Sequence, residues 1–405
     1  MFYLINIIII LIAKLGLFFA FFYFSKSLSS TDFKIYALNF SIWQLVGQIA
    51  TFQMGTTLFR IANRRVLKKT FIKINYYVLI FLSISVMACY FFVGVNNFAF
   101  SIVCGFVYAS FILMADYSRS IVNEKYVYFI YAAPLLAYLI FEFLSHSINV
   151  TVYTLMFLEI LSYALATLFL CSLLFRNESV EVRSYKISAR ELKCLMYYWS
   201  RLSKPLLINN AVWYFYFNAP QIIAYTYTIS DNDFKELAVI FRFIVAISTL
   251  SSIFALVFQK KIILEHDKNY NSYCMIKDCF KKTYFPVILF FPVIFGYSIE
   301  LILSFNSDYY QYVMGFLGLR FSVLSMFASI FLGLYFCSHY FVAEKDMKVI
   351  SPSMIIGFFV YLGVFVLLDK GSSEFPKTLV TSLFCSLTCT LMIRYIYLLR
   401  MKNNA

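Results

Sequence analysis

Charged side chains inside long apolar segments are the residues of this sequence best placed to do chemistry. A charge at bilayer depth is costly unless it faces other protein or water. Lys14 lies roughly 15 Å from either end of its segment at about 1.5 Å per residue, which is further than a lysine can comfortably snorkel. Arg320 lies about nine residues inside its own segment. We therefore expect both cations to face a protein interior or a water-filled cavity.

Two further charges have alternatives that the sequence leaves open. Glu159 lies as deep as Arg320, so its carboxylate could either neutralise one of the cations or titrate as an ion-coupling group. Arg242 lies about six residues inside its segment. Snorkelling to the membrane surface explains Arg242 as well as a buried role does.

Polar uncharged residues form a stripe on the second apolar segment. Ser41, Gln44, Gln48 and Thr51 follow one another at spacings of three, four and three residues, which places them on one face of a helix. A polar face in lipid is costly, so this face should line a cavity or bond to another helix. The spacing does not distinguish these two roles.

The seventh apolar segment carries a second set of polar residues. Asn210, Trp213 and Gln221 lie in a segment that Pro220 interrupts. Proline frees a backbone carbonyl and permits bending. Amides and a tryptophan suit sugar hydroxyls and sugar faces, and a kinked packing helix is the alternative.

The elements that position these residues follow from hydropathy. Of 405 residues, 62% are hydrophobic and 13% are charged, too few polar residues to cover a soluble protein of this size. Apolar runs of about 20 residues predict transmembrane helices. The spans are predicted at about 2–24, 36–59, 72–93, 98–115, 127–145, 150–175, 204–228, 236–258, 284–304, 311–336, 349–368 and 377–399. The predicted fold class is an all-α polytopic membrane protein with about 12 transmembrane helices.

Basic residues concentrate in alternate loops. Of the 34 Lys and Arg residues, 26 lie on one side, five lie on the other, and three lie within spans. Because basic residues mark cytoplasmic loops, both termini are predicted to be cytoplasmic. The net charge of +14 then reflects the basic cytoplasmic loops, which set the topology and attract anionic membrane lipid. No basic soluble domain is predicted that could bind nucleic acid.

The chain is predicted to have two halves. We expect an N-terminal lobe over residues 1–180, a cytoplasmic linker with an amphipathic segment over 181–203, and a C-terminal lobe over 204–405. Asp32-Phe33-Lys34-Ile35-Tyr36-Ala37 at the second span is echoed 201 positions later by Asp233-Phe234-Lys235-Glu236-Leu237-Ala238. Halves with six spans each would be parallel repeats, and transporters commonly bind substrate between such halves.

Several classes of protein lack their expected residues here. A membrane glycosyltransferase would show an acidic pair in an early outside loop, where Asp32 stands alone, and a membrane polysaccharide polymerase would show one long outside loop. No glycine-rich phosphate loop appears, and the three histidines suggest no metal site. The sequence therefore predicts a transporter rather than an enzyme, with no cofactor and no metal.

Residues 25–65 resemble a known family. The residues Ser29-Ser30-Thr31-Asp32-Phe33-Lys34-Ile35-Tyr36-Ala37, followed by Gly55 and Arg60, are similar to the first and second spans of bacterial polysaccharide repeat-unit flippases. These belong to the multidrug/oligosaccharidyl-lipid/polysaccharide (MOP) exporter superfamily. Lys34 occupies the position of the family's usual glycine.

The resemblance implies two six-helix lobes around a central cavity in the bacterial inner membrane. The implied substrate is an undecaprenyl-diphosphate-linked oligosaccharide, flipped by alternating access with H⁺ or Na⁺ coupling for O-antigen or other surface polysaccharide. Other polysaccharide-assembly proteins are the implied partners. The family's cation-lined lumen corresponds by residue type to Lys14, Arg60, Arg242 and Arg320, whose charges would hold the diphosphate.

Two alternatives remain. An ion-coupled small-molecule (drug) exporter of the same superfamily would centre on acidic residues in the first lobe, whereas cations outnumber carboxylates at depth here. A membrane polysaccharide polymerase is disfavoured by the short outside loops.

Overall fold

All the regular structure in the described part of the chain is helical. A computed structural model describes residues 28–52, 58, 65–93, 98–121, 133–145, 151–176, 188–226, 234, 238, 241, 244, 245, 248, 281, 320–344, 346–368 and 375–403. The predicted spans at 2–24 and 284–304 lie outside these residues, as does most of the span at 236–258. The helices described below account for the remaining predicted spans.

The chain divides into two compact units, Met1–Asp231 and Asn232–Ala405. The helices described in the first unit are α1 (Ser30–Ala50), α2 (Arg65–Val93), α3 (Phe98–Ile121), α4 (Ala133–Ser145), α5 (Val152–Arg176), α6 (Ala189–Tyr198) and α7 (Lys204–Thr226), and a π-helical segment (Trp199–Ser203) joins α6 to α7. The second unit contains α8 (Arg320–Ala343), α9 (Ile350–Leu368) and α10 (Phe375–Asn403). Helix α7 packs on α1 and so falls in the first unit. The lobe limits at residues 180 and 204 stay a prediction.

Five described helices are long and apolar enough to cross a membrane, namely α2, α3, α5, α9 and α10. Large apolar side chains stand exposed on them, such as Phe81 at 69% and Leu367 at 82% exposure. Such surfaces are stable only when lipid or protein covers them. Helices α1 and α7 are not among the five, which agrees with the polar residues predicted on both.

The ends of α1 differ from the predicted span at 36–59 for local reasons. The helix begins at Ser30 because the Ser29 hydroxyl oxygen accepts the Asp32 backbone N–H at 3.1 Å, a standard N-cap. It ends at Ala50. Two residues later, Phe52 has φ of 47°, in the left-handed region that side chains rarely adopt. Thr51 therefore lies just past the helix, although its hydroxyl still donates to the Gln48 carbonyl at 2.8 Å.

The motif at the start of the second span is a packing motif. Phe33, Tyr36 and Ala37 are fully buried, whereas Lys34 is half-buried in the first turns of α1. Three residues of α1 have counterparts 201 positions later that are also buried and also helical. The matching pairs are Phe33 with Phe234, Ala37 with Ala238, and Phe40 with Phe241. The echo between the halves is thus a repeated buried helix face.

Small residues bring α1 and α3 together. A Cβ added to Gly47 would lie 2.5 Å from Tyr108 Cδ1, and one added to Gly105 would lie 2.7 Å from Val46 Cβ. Small residues that permit close backbone approach are typical of helix contacts in membranes. The resulting α1–α3 contact supports the polar groups described next.

Candidate functional site

The predicted cation site lies almost entirely outside the described residues. Lys14, Arg60 and Arg242 fall there. Arg320 is the first residue of α8, but its side chain is not among those described. The cation-lined cavity therefore stays a prediction.

The polar stripes of α1 and α7 meet. The Ser41 hydroxyl donates to Gln221 Oε1 at 2.5 Å, and both residues are buried, with exposures of 0% and 3%. The same hydroxyl lies 2.8 Å from the Ala37 carbonyl oxygen. At Ser41 and Gln221 the two stripes therefore form a hydrogen bond between helices. This is the alternative that the sequence could not distinguish from cavity lining.

The other predicted polar residues are less enclosed. Gln44 and Gln48 on α1 are half-buried, as are Asn210 and Trp213 on α7. The Asn210 side-chain oxygen accepts a hydrogen bond from the Asn209 amide at 3.1 Å. Groups of this exposure remain accessible to water or to a polar ligand, and amides can both donate and accept.

Glu159 on α5 lies at the junction of three helices. Its side chain is 1% exposed. Tyr36 from α1 and Tyr138 from α4 each donate a hydroxyl hydrogen bond to Glu159 Oε2 at 3.2 Å. The two hydroxyls also lie within hydrogen-bonding distance of each other. Among the described residues, Glu159 is the one buried carboxylate.

This arrangement can hold either protonation state of the carboxylate. When Glu159 is ionised, two hydroxyl donors stabilise its charge. When it is protonated, its own O–H can donate to a tyrosine oxygen. Because the oxygens come from α1, α4 and α5, a change at the carboxylate acts on the contact between these helices. The geometry therefore suits the ion-coupling role and leaves the charge-pairing alternative open.

The α1–α3 interface holds polar groups that the sequence analysis missed. Ser101 on α3 donates a hydroxyl hydrogen bond to Asn39 Oδ1 on α1. Trp43 Nε1 on α1 and, outside this interface, Asn75 Oδ1 on α2 are fully buried and have no hydrogen-bond partner among the described residues, which is uncommon in folded proteins. Asn39 falls on a different face of α1 from the predicted stripe, so the search for one polar face could not find it.

Arg394 on α10 is the most buried cation of the described residues, ahead of Lys68 and Lys69 on α2, and it is not among the predicted site residues. It is 2% exposed. Its Nε donates to Ser353 Oγ at 2.9 Å, its Nη1 to Ser338 Oγ at 2.8 Å, and its Nη2 to the Ile350 carbonyl at 3.3 Å. The guanidinium thus joins α8, α9 and α10. The predicted topology counts it among the 26 basic residues of the cytoplasmic side.

A signal for this cluster exists in the sequence. Buried polar residues recur every four positions along α10: Thr378, Ser382, Ser386, Thr390 and Arg394. Gly357 on α9 packs against this stripe, and a Cβ there would collide with Thr390 Oγ1. Small polar residues at such spacing indicate close helix packing.

No group of His, Cys, Asp and Glu that could hold a metal ion occurs among the described residues. No protein-family model and no curated protein sequence matches the chain.

Solved structures do match it. A eukaryotic MATE transporter is similar over 98% of this chain and 94% of its own, with a TM-score of 0.71 and 11% identity. The chain has the fold of MATE transporters. A second match is a MOP superfamily transporter from Pyrococcus furiosus, similar over 98% of this chain and 94% of its own, with a TM-score of 0.62 and 12% identity. That transporter is described as having a binding pocket of reversed polarity that suggests a different function. A third match is an inward-facing multidrug resistance MATE family transporter, similar over 98% of this chain and 97% of its own, with a TM-score of 0.60 and 11% identity.

The match to MATE transporters confirms the predicted fold class, an all-α membrane protein with twelve helices in two lobes. The proteins that share this fold are transporters and not enzymes. At 11–12% identity the likeness establishes the fold alone. The substrate must be argued from the residues of this chain.

Proposed function

We propose that the protein is an alternating-access transporter that flips undecaprenyl-diphosphate-linked oligosaccharide units across the bacterial inner membrane for the synthesis of O-antigen or another surface polysaccharide. The observation that carries the transport proposal is the MATE fold over 98% of the chain. The specific substrate is supported by the resemblance of residues 25–65 to repeat-unit flippases and by the charges predicted at depth.

The enclosure of Glu159 favours an anionic substrate over a cationic one. A cationic drug needs an accessible acidic partner, and the buried carboxylate of the first unit is instead surrounded by Tyr36 and Tyr138. Lys14 and Arg320 supply the opposite charge at depth. A diphosphate is costly in hydrocarbon, and cations would hold it in a cavity.

The half-buried amides and tryptophan would contact the sugars. Gln44 and Gln48 offer donors and acceptors, as does Asn210 from α7, while Trp213 offers an indole N–H donor and an aromatic face. Glu159 would couple transport to H⁺ or Na⁺ by changing its charge at the junction of α1, α4 and α5.

The second candidate is a drug exporter, because one matching structure is a multidrug resistance transporter. The two functions differ in what a deletion strain accumulates. Loss of a flippase leaves single lipid-linked repeat units on the inner leaflet and removes surface glycan. Loss of a polymerase leaves units that reach the outer leaflet unjoined, and loss of a drug exporter leaves the glycan intact and raises drug sensitivity.

Point variants test the cation site in the same strain. Lys14→Ala and Arg320→Ala should abolish surface glycan at near-normal protein levels, whereas Lys348→Ala, which removes an exposed cation, should not. Full glycan in both variants would remove these residues from the site. Loss of the protein together with the glycan would assign them a structural role.

A further inference from the structure

Helix α6 is a short amphipathic helix outside the predicted spans. Its start is fixed by a capping box, in which the Ser188 hydroxyl oxygen accepts the Glu191 N–H at 3.2 Å and the Glu191 carboxylate accepts the Ser188 N–H at 3.1 Å. Four apolar residues at helical spacing share one face: Leu192, Leu195, Met196 and Trp199. The helix therefore begins independently of its neighbours and presents one apolar face.

That apolar face is only partly covered by protein. Leu195 is buried at 2% exposure, but Leu192 and Met196 are exposed at 38% and 50%. Around them stand four basic residues, Arg190, Lys193, Arg201 and Lys204, and all four are exposed. An exposed apolar strip beside a basic face is typical of helices that lie in the membrane interface and contact anionic lipid.

The length of the helical stretch supports this position. Residues 189–226 are helical without a break through the π-helical segment, about 57 Å at about 1.5 Å per residue. The hydrocarbon core of a bilayer is about 30 Å thick. The α6 end must therefore lie beyond the core, and π-helical segments are places where helices bend. The basic loops of the chain lie on this same predicted side of the membrane.

Trp199 connects this helix to α1. Its indole N–H donates to the Phe52 carbonyl at 3.1 Å. Phe52 is the described non-glycine residue with positive φ, a conformation that surrounding contacts must stabilise. Nearby, Asn75 of α2 donates to the Thr51 carbonyl at 3.4 Å. The end of the polar-faced α1 is thus held in part by the amphipathic helix.

We infer that α6 and the π-helical segment form an interfacial anchor, residues 189–203, that binds acidic phospholipid headgroups and transmits this contact to the end of α1 through the Trp199–Phe52 hydrogen bond. The apolar strip enters the interface, and Arg190, Lys193 and Arg201 of the anchor, together with Lys204 directly after it, pair with lipid phosphates. Lipid charge then stabilises one conformation of the turn at Phe52. This site is separate from the one proposed for transport and does not depend on its substrate.

Lipid binding can be measured on the full-length protein in liposomes. The variant Trp43→Phe/Trp213→Phe leaves Trp199 as the reporter among the three tryptophans. Lipids brominated near the headgroup should quench Trp199 more than lipids brominated mid-chain, and more in phosphatidylglycerol–phosphatidylcholine mixtures than in phosphatidylcholine alone. Equal quenching of Trp199 with and without phosphatidylglycerol would overturn the proposal.

A second measurement keeps the wild-type tryptophans. Retention of phosphatidylglycerol by purified protein should fall about 30-fold in Arg190→Gln/Lys193→Gln, at about fivefold per basic residue near a charged membrane. Lys348→Gln is the matched control and should retain lipid as the wild type does. If the double variant also retains lipid normally, the anchor does not bind acidic phospholipid. Capture of a soluble acidic protein by this face, without lipid dependence, would contradict the proposal as well.

The connection to α1 has its own readout. Phosphatidylglycerol should slow hydrogen–deuterium exchange of the amides around Phe52 in the wild type. Trp199→Phe keeps the ring but removes the N–H donor, so lipid binding should persist while the lipid effect on exchange disappears. Exchange that depends on lipid to the same extent in Trp199→Phe would refute the connection.

Discussion

The two tyrosine hydroxyls on Glu159 offer the sharpest test of the described part of the site. Tyr36→Phe and Tyr138→Phe each remove one 3.2 Å hydrogen bond to a carboxylate that is 1% exposed. Bonds to a charged group are worth about 1.5–3 kcal/mol in soluble proteins. Bonds between membrane helices average about 0.6 and reach about 1.7 kcal/mol. We expect each variant to lose about 1–1.5 kcal/mol of unfolding free energy.

The double variant should not show the sum of the two losses. Both hydroxyls donate to the same oxygen and lie within hydrogen-bonding distance of each other, and residues that share a partner couple by about 0.5 kcal/mol or more. Reversible unfolding in bicelles measures all three variants. Tyr153→Phe, on the same helix as Glu159 but 53% exposed, is the matched control. Single variants that behave like this control, or losses that add, would refute the network.

Two other contacts give predictions of the same kind. Gly357→Ala should destabilise the protein by about 1–3 kcal/mol in the same unfolding assay, because its Cβ would meet Thr390 and lie 3.2 Å from the Ser386 carbonyl oxygen. The control is Gly363→Ala on the same helix. A Cβ at this position has nothing within 4 Å, so the variant should be neutral or slightly stabilising. Ser353→Ala should cost about 1–3 kcal/mol, because it leaves the Arg394 Nε–H without its bonded partner; an unfolding free energy unchanged from wild type would show that the serine does not stabilise the guanidinium.

Much of the architecture could be predicted from hydropathy because lipid imposes a length on every span. The span predicted at 150–175 corresponds to α5 at Val152–Arg176, and the one at 349–368 corresponds to α9 at Ile350–Leu368. The start of α1 could not be placed in this way. It is set by the Ser29 cap rather than by apolar periodicity, and hydropathy does not detect a hydroxyl that accepts one backbone N–H.

The site was predictable where residues share a face and unpredictable where they meet across helices. The spacing of Ser41, Gln44 and Gln48 predicts one polar face, but nothing in it identifies Gln221 as the partner of Ser41. Glu159 was found because a lone carboxylate at depth is conspicuous. Its two tyrosine partners were hidden among the 33 tyrosines of the chain, a residue type that is enriched at membrane interfaces.

Arg394 shows how position in a span can mislead. It lies within the apolar stretch Thr378–Met401, whereas the predicted topology counts it among the 26 basic residues of the cytoplasmic side. The structure instead directs the guanidinium into serines of α8 and α9. A search for polar residues at four-residue spacing on α10 would have found the stripe that leads to it.

The most direct test of the proposed function is a flipping measurement with the purified protein in liposomes. A fluorescent undecaprenyl-diphosphate-linked oligosaccharide is placed in one leaflet, and its arrival in the other is followed with a membrane-impermeant quencher. The account predicts movement that requires the protein and slows at least about tenfold, or about 1.4 kcal/mol in barrier, in Lys14→Ala and in Arg320→Ala. Protein that leaves the lipid-linked sugar in place but exports a cationic drug through the same membrane would contradict it.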